Sequence, residues 1–249
     1  MPQQKSTFEK FFSDKSKGAK APAYGVWAAF LSAYVEMLNE GRTTVHYGDV
    51  STDDHNGLKT FIAAMQLVNP AALSRADAFA FWANIYNALT VDIVLDHYPV
   101  KSIKAIRSGI TPGPWRRKLF SIGGEQLTLD NIEHDILRAF WGDNRVHYAL
   151  NCGSIGCPNL LPQPFVGETL DDTLDQAATE FINHPRSVDF IRGRLVASSI
   201  YSWYKEDFRQ ARGGVLGHFQ KYAAPELKNA LGSETRISRH TYDWSLNDR

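Results

Sequence analysis

Neither sign of charge predominates in this sequence: 27 Lys and Arg stand against 27 Asp and Glu, a formal net charge of zero. A nucleic-acid footprint needs a basic excess or a basic stripe, so no nucleic-acid partner is expected. No continuous apolar run approaches the roughly 18 residues of a membrane-spanning helix, and no transmembrane segment is expected. The opening MPQQKSTFEKFF has no apolar core of the signal-peptide kind. The chain as given reads as soluble, and it also fits the mature part of an exported protein. Familiar motifs are missing too: no P-loop, no G-x-G-x-x-G, no G-x-S-x-G and no H-E-x-x-H. Phosphate, nucleotide and zinc-protease chemistry therefore have little support. There is no internal repeat and no low-complexity tract. Cysteine is scarce, with two residues spaced C-x₄-C rather than C-x-x-C, which disfavours a thioredoxin-like role.

What is present is an aromatic-rich chain, 12 % Phe, Trp and Tyr with six Trp, enough for a large core or an aromatic-lined cleft. Residues 1–22 are polar and read as a mobile arm ending at Pro22. Residues 23–249 read as one α+β domain, a helix-rich first half packed on a small antiparallel sheet of hairpins. Apolar spacing predicts helices over 24–38, 58–68, 77–98, 131–140, 170–182 and 215–222. Ser74 is placed to cap the longest of them, and Asp130 with Glu133 reads as an N-terminal capping box. Gly123-Gly124 and Arg192-Gly193 each separate two β-like runs and predict hairpins. A short β-like run covers 45–50, and 237–244 reads as a final strand or extended tail.

The densest chemistry lies in RVHYALNCGSIGCPNL, 145–160. The run Val146–Leu150 reads as a strand leading into a loop with Cys152 and Cys157. A thiolate is a good nucleophile when a base or positive neighbour ionises it, and His147 is the nearest candidate base. On a regular strand His147 and Cys152 start on opposite faces, so either thiol could meet the imidazole only through the turn. Three other fates stay open for the pair: a disulfide closing the GSIG loop, a Cys₂His₂ zinc set with His147 and His134, or two buried small hydrophobes. No cofactor is required by the first and last. Asn84 and Asn87 lie inside a strongly apolar helix, where buried amides need partners. They could tie loops to the helix, or Asn87 could orient the imidazole or donate to an oxyanion. Glu133 and His134 are adjacent, about 100° apart on a regular helix, and form a neighbouring wall. Lys101, Lys104, Arg107, Arg116, Arg117 and Lys118 make either a solvated loop surface or an anion-binding rim.

FWANIYNALT at 81–90, LTLDNIEHDILR at 127–138, RVHYALNCGSIGCPNL at 145–160 and SSIYSWYKEDF at 198–208 together resemble the domain of unknown function 547 family, over about residues 75–225. The resemblance implies a distant relationship to papain-like or transglutaminase-like proteins, with a His on a strand, and members that are exported to the periplasm or secreted. It departs from that pattern at Asn84 and Asn87, which stand where a helix-borne nucleophilic Cys would be sought. Two functions follow as expectations. One is a Cys/His-centred hydrolase or acyl-transfer enzyme with His147 as base, Cys152 or Cys157 as nucleophile, and Asn87, Glu133 and His134 beside them. The other is an exported binding module with a Cys152–Cys157 disulfide. In either, Asn84, Tyr86, Asn151 and Trp203 are the candidate contacts to a small-molecule or peptide ligand.

Overall fold

The computed structural model describes residues 7–107, 109–232 and 236–249. Helix α1, Gly25–Tyr34, buries Trp27, Phe30 and Leu31. The apolar spacing carries this helix on to Leu38, but the chain turns extended at Val35. Val35–Met37 (β1) pairs antiparallel with Thr43–Val45 (β2), where β-branched residues suit a half-buried ladder. The β-like run after Val45 instead tightens into a 3₁₀ turn, Tyr47–Asp49. Helix α2, Thr52–Met65, starts at Ser51, whose Oγ accepts from the Asp54 N–H at 3.1 Å.

Helix α3, Arg75–Leu95, is the element on which the first core is built. Ser74 caps it as expected, accepting from the Asp77 N–H at 3.1 Å. Every residue from Ala78 to Val91 is buried. A helix apolar all round belongs in a core or a membrane. By length and composition α3 is apolar enough to cross a bilayer, which counting continuous apolar runs overlooked; 89 % of the relevant window is buried inside the protein. Residues 7–22, expected in a mobile arm, are docked on this core. Phe11 is buried against Trp82 with ring centroids 5.6 Å apart, and Arg75 N–H donates to Lys15 O at 2.7 Å. The apolar pair Phe8 and Phe11 anchors a segment whose composition is otherwise polar. Residues 1–6 of that arm lie outside the described residues.

The hairpin Phe120–Ile122 (β3) and Glu125–Leu127 (β4) forms as predicted, with both Gly123 and Gly124 at positive φ, 54° and 80°. The next helix, α4, winds as a π-helix over Asn131–Arg138 and continues in α form to Trp141. Its start is held by Thr128, not Asp130: Asn131 N–H donates to Thr128 Oγ1 and Thr128 N–H to Asn131 Oδ1, each at 3.1 Å. That reciprocal bond frees Glu133 from capping.

Val146–Ala149, expected as a strand, is a short helix, α5, buried at all four positions. The physical reason is its place between two cores. Val146 and Ala149 pack in the cluster built on α3, while Tyr148 belongs to a second cluster with Phe181, Tyr201, Phe208 and Phe219. The alternation in VHYAL suits a strand, but over so few residues, all of them covered, periodicity cannot tell a strand from a single helical turn.

The second cluster is built from helix α6, Leu170–Ile182, and the hairpin Val188–Ile191 (β5) and Arg194–Ser198 (β6). The short helices Ile200–Trp203 (α7) and Lys205–Phe208 (α8) follow. Then come Gly214–Tyr222 (α9) and Pro225–Leu231 (α10). Arg239–Thr241 (β7) adds to β6 in parallel, making the third sheet mixed. Beyond it the chain runs back to the first core, bridging Leu246 to Ser154 and Asp248 to Val45. The architecture is α+β, with helices dominating and, among the described residues, three small sheets.

Candidate active site at the seam of two cores

The thiol loop is shaped by its own amides. Asn151 Oδ1 accepts from Gly153 N–H at 2.8 Å, and Asn151 Nδ2 donates to Pro158 O at 2.7 Å, tying the two ends together. Gly153 sits at φ 74°, in the left-handed region open to glycine. Gly156 is required for another reason: its N–H donates to Asp243 O at 2.9 Å, and a Cβ there would meet Asp243 backbone N and O at 2.9 Å.

Cys152 and Cys157 are free thiols, both buried, with Sγ atoms 2.8 Å apart. Three donors converge on Cys157 Sγ: the Cys152 backbone N–H at 3.0 Å, the Cys152 thiol, and the Tyr242 hydroxyl at 3.2 Å. Burial pushes the Cys157 thiol up, but these donors outweigh it and bring its pKa down to about 7. Cys152 moves the other way. Its hydrogen bond to Cys157 and its burial push it well above the usual thiol range. Two neighbouring groups with pKa values driven apart are a mark of acid and base roles.

His147 reaches neither sulfur through a hydrogen bond. From α5 its Nε2 meets Asp207 Oδ2 at 2.7 Å, and its ring stacks on Tyr204 with centroids 4.1 Å apart. Asp207 in turn takes a bidentate pair from Arg138, at 2.6 and 3.0 Å. Burial pulls the His147 pKa down and its Asp207 acceptor only partly offsets this, so the neutral imidazole donates Nε2–H to a carboxylate. Burial alone would raise Asp207; the bonds from His147 and Arg138 hold it well below the usual carboxylate range.

Glu133 and His134 face the same space because the wider π turn places neighbouring residues closer in angle than an α-helix does. His134 Nδ1 lies 3.8 Å from Glu133 Oε1 and 3.0 Å from Arg138 Nη1. Glu133 is 8 % exposed and accepts from the Tyr86 hydroxyl at 3.1 Å. π-Helical turns recur at functional sites, and this one carries both wall residues.

These groups line one cleft of about 230 Å³. It holds Tyr86, Glu133, His134, His147, Cys152, Cys157 and Trp203, seven of the sequence's candidates. Trp115, Tyr204, Tyr242 and Trp244 complete an aromatic wall. Asn84, Asn87 and Asn151 are not in it. Asn87 Nδ2 donates to Ala149 O at 2.9 Å and Asn87 Oδ1 accepts from Asn151 N–H at 2.8 Å, which pins α5 and the thiol loop to α3. Asn84 does the same for Phe165, at 2.8 and 3.0 Å. Each amide is spent on backbone and touches no imidazole. Of the expected zinc donors the two thiols lie together, but His134 and His147 do not join them in one cluster. Among the described residues the donor cluster within 4.8 Å is His55, Asp92 and Asp96, and Lys59 already bridges its two carboxylates. Of the basic loop, Lys104 covers the Trp244 ring at 4.2 Å and Arg116 reaches Asp130 at 3.5 Å, both at the cleft.

Sequence reasoning missed Asp207, Tyr204, Arg138 and Tyr242. Tyr204 and Asp207 lie within the SSIYSWYKEDF run quoted for its resemblance; Tyr242 sat in what read as a tail.

An α+β chain with a dithiol cleft between two cores is the class these features define. Residues 70–182 match a family model described as a protein of unknown function, DUF547. The matched segment contains α3, the π-helix and the thiol loop. No curated protein matches the chain, and no solved structure does.

Proposed function

We propose that the cleft is the active site of a cysteine-dependent hydrolase or acyltransferase that acts on an ester or amide, with Cys157 as nucleophile. The observation that carries this reading is the convergence of three donors on Cys157 Sγ in a cleft that His147, held from behind by Asp207, also lines. Because His147 lines the cleft without touching either sulfur, the thiol proton reaches it through a bridging water, and Asp207 stabilises the imidazolium. Cys157 Sγ attacks the carbonyl carbon; the S–C bond forms and the C–O or C–N bond breaks. His147 returns the proton to the leaving group. Water, or an acceptor alcohol or amine, then opens the thioester. The Trp203, Tyr242 and Trp244 rings suit a flat or apolar acyl group.

The test is incubation with a panel of activated esters, followed by intact mass and peptide mapping. A single acyl adduct on Cys157, absent from Cys157→Ser and present in Cys152→Ser, is the expected result. An adduct that persists in Cys157→Ser overturns it.

The 2.8 Å apposition of the sulfurs favours a second reading, an exported binding module. In an oxidising periplasmic or extracellular compartment the pair passes two electrons to a disulfide-exchange partner and closes a Cys152–Cys157 bond. Protein taken from its native compartment then shows both thiols blocked to alkylation until reduced. Two thiols free without reduction would exclude this form.

A further inference from the structure

Among the described residues, seven buried side-chain nitrogen or oxygen atoms have no hydrogen-bond partner, and four of them belong to Arg42, Thr43, His184 and Arg186. Native proteins leave few such atoms, and each calls for an explanation. These four residues are physically joined. Asn159 Oδ1 accepts from Thr43 N–H at 3.0 Å and from Arg186 Nη2 at 2.6 Å. Arg186 N–H donates to His184 Nδ1 at 3.1 Å. Arg42 precedes Thr43 on the β1–β2 turn.

All four orphan atoms can donate. Arg42 Nη1 and Arg186 Nη1 have no other role. Because His184 Nδ1 accepts, the neutral ring carries its proton on the orphaned Nε2. The Thr43 hydroxyl, on a residue 3 % exposed, can donate as well. The cluster also carries positive charge with little to balance it. Arg186 forms no ion pair among the described residues, and Arg42 reaches only Glu40, at 3.3 Å. Burial, with the charge of Arg42 added, brings Arg186 down to about 10. Burial and then the two guanidinium groups bring His184 down to about 4. Buried charge without a counterion is costly. Water could occupy some donors but would leave the charge uncompensated.

We propose that Arg42, Thr43, His184 and Arg186 form a binding site for a small oxyanion of the phosphate or sulfate class. Paired guanidinium forks fit tetrahedral oxyanions through bidentate, charge-assisted bonds. The site backs onto the thiol loop, since Arg186 Nε also donates to Cys157 O at 3.1 Å. It does not depend on the enzymatic reading of the cleft.

The test is thermal unfolding of the full chain in phosphate, sulfate, acetate and chloride at matched ionic strength. Phosphate and sulfate raise Tm saturably over chloride. Arg42→Gln, on a surface turn, and His184→Gln weaken the phosphate midpoint by roughly tenfold or more each, with Tm in chloride close to wild type. Arg186→Gln should act likewise but also releases the Cys157 carbonyl, so the first two variants decide. Acetate matching phosphate supports the oxyanion site and assigns it to carboxylates as well. Equal Tm in phosphate and chloride overturns the proposal. So does a phosphate response unchanged in both Arg42→Gln and His184→Gln, which would mean an adventitious ion only.

Discussion

Iodoacetamide should label one cysteine of the native chain much faster than the other, and the fast one should be Cys157. With its pKa brought down to about 7, Cys157 is largely thiolate at mildly alkaline pH, whereas Cys152 is held protonated. Thiolate is the reacting form, so the Cys157 rate climbs with pH through a midpoint about 7 and then levels. Cys157→Ser removes the fast phase; Cys152 then loses the bond to Cys157 that raises it most, but its burial still opposes the thiolate, so the labelling that remains is slower than that of Cys157 in the wild type. Cys152→Ala keeps a fast phase but shifts its midpoint upward, since it deletes the thiol that donates to Cys157 Sγ. Tyr242→Phe deletes another donor and shifts the midpoint the same way. Rates from quenched labelling and peptide mass settle the assignment. Equal rates for both thiols, or a fast Cys152, would mean that the convergence of donors on Cys157 does not activate it.

The largest loss of stability should follow Asp207→Ala. This carboxylate is the common partner of Arg138 and His147, and its removal leaves a partly buried guanidinium and a buried imidazole without an acceptor. Breaking a fully buried pair costs about 3–5 kcal/mol. Because Arg138 and Asp207 each keep 24 % of their side-chain exposure, about 2–3 kcal/mol is expected here. Asp207→Asn, which retains an acceptor for His147, should lie between. The pH dependence follows from the two shifts. His147 is depressed in the folded state, so its contribution is full above about 6.5 and declines as pH falls below that value. Asp207 is also depressed, so its contribution is full above about 3.9 and is lost as pH falls from there through the folded pKa. Urea unfolding should therefore show the wild-type advantage over Asp207→Ala intact at pH 7 and shrinking below pH 4. An advantage that stays constant to pH 3 would contradict the assignment of these bonds.

The features that rest on local chemistry were legible in the sequence. Ser74 caps α3, the two Gly-containing turns make hairpins, and 170–182 is a helix with the expected bounds. The cleft's membership was largely legible too, because thiols, imidazole and the Glu-His pair cluster in short motifs. What was not legible depends on distance along the chain. The partner of His147 lies 60 residues away on α8, and no spacing rule links them. The misassigned α5 has the same origin: its burial on every side reflects two cores meeting, which the alternation of a five-residue run does not report. Asn87 illustrates the converse. Its burial was readable, but only the fold reveals that Ala149 and Asn151 consume both ends of the amide.

The return of the chain past β7 has a consequence for how the molecule is made. Cys152 and the tyrosine that hydrogen-bonds it are 90 residues apart. At about 5–20 residues per second, synthesis separates their appearance by roughly 5–20 s. Throughout that interval the nascent chain carries both thiols without the hydroxyl that helps hold Cys157 as a thiolate, and without the Asp243 backbone that Gly156 is shaped to receive. A reactive sulfur is thus withheld until translation has passed Tyr242, and oxidants or misplaced electrophiles met earlier would find an ordinary thiol pair.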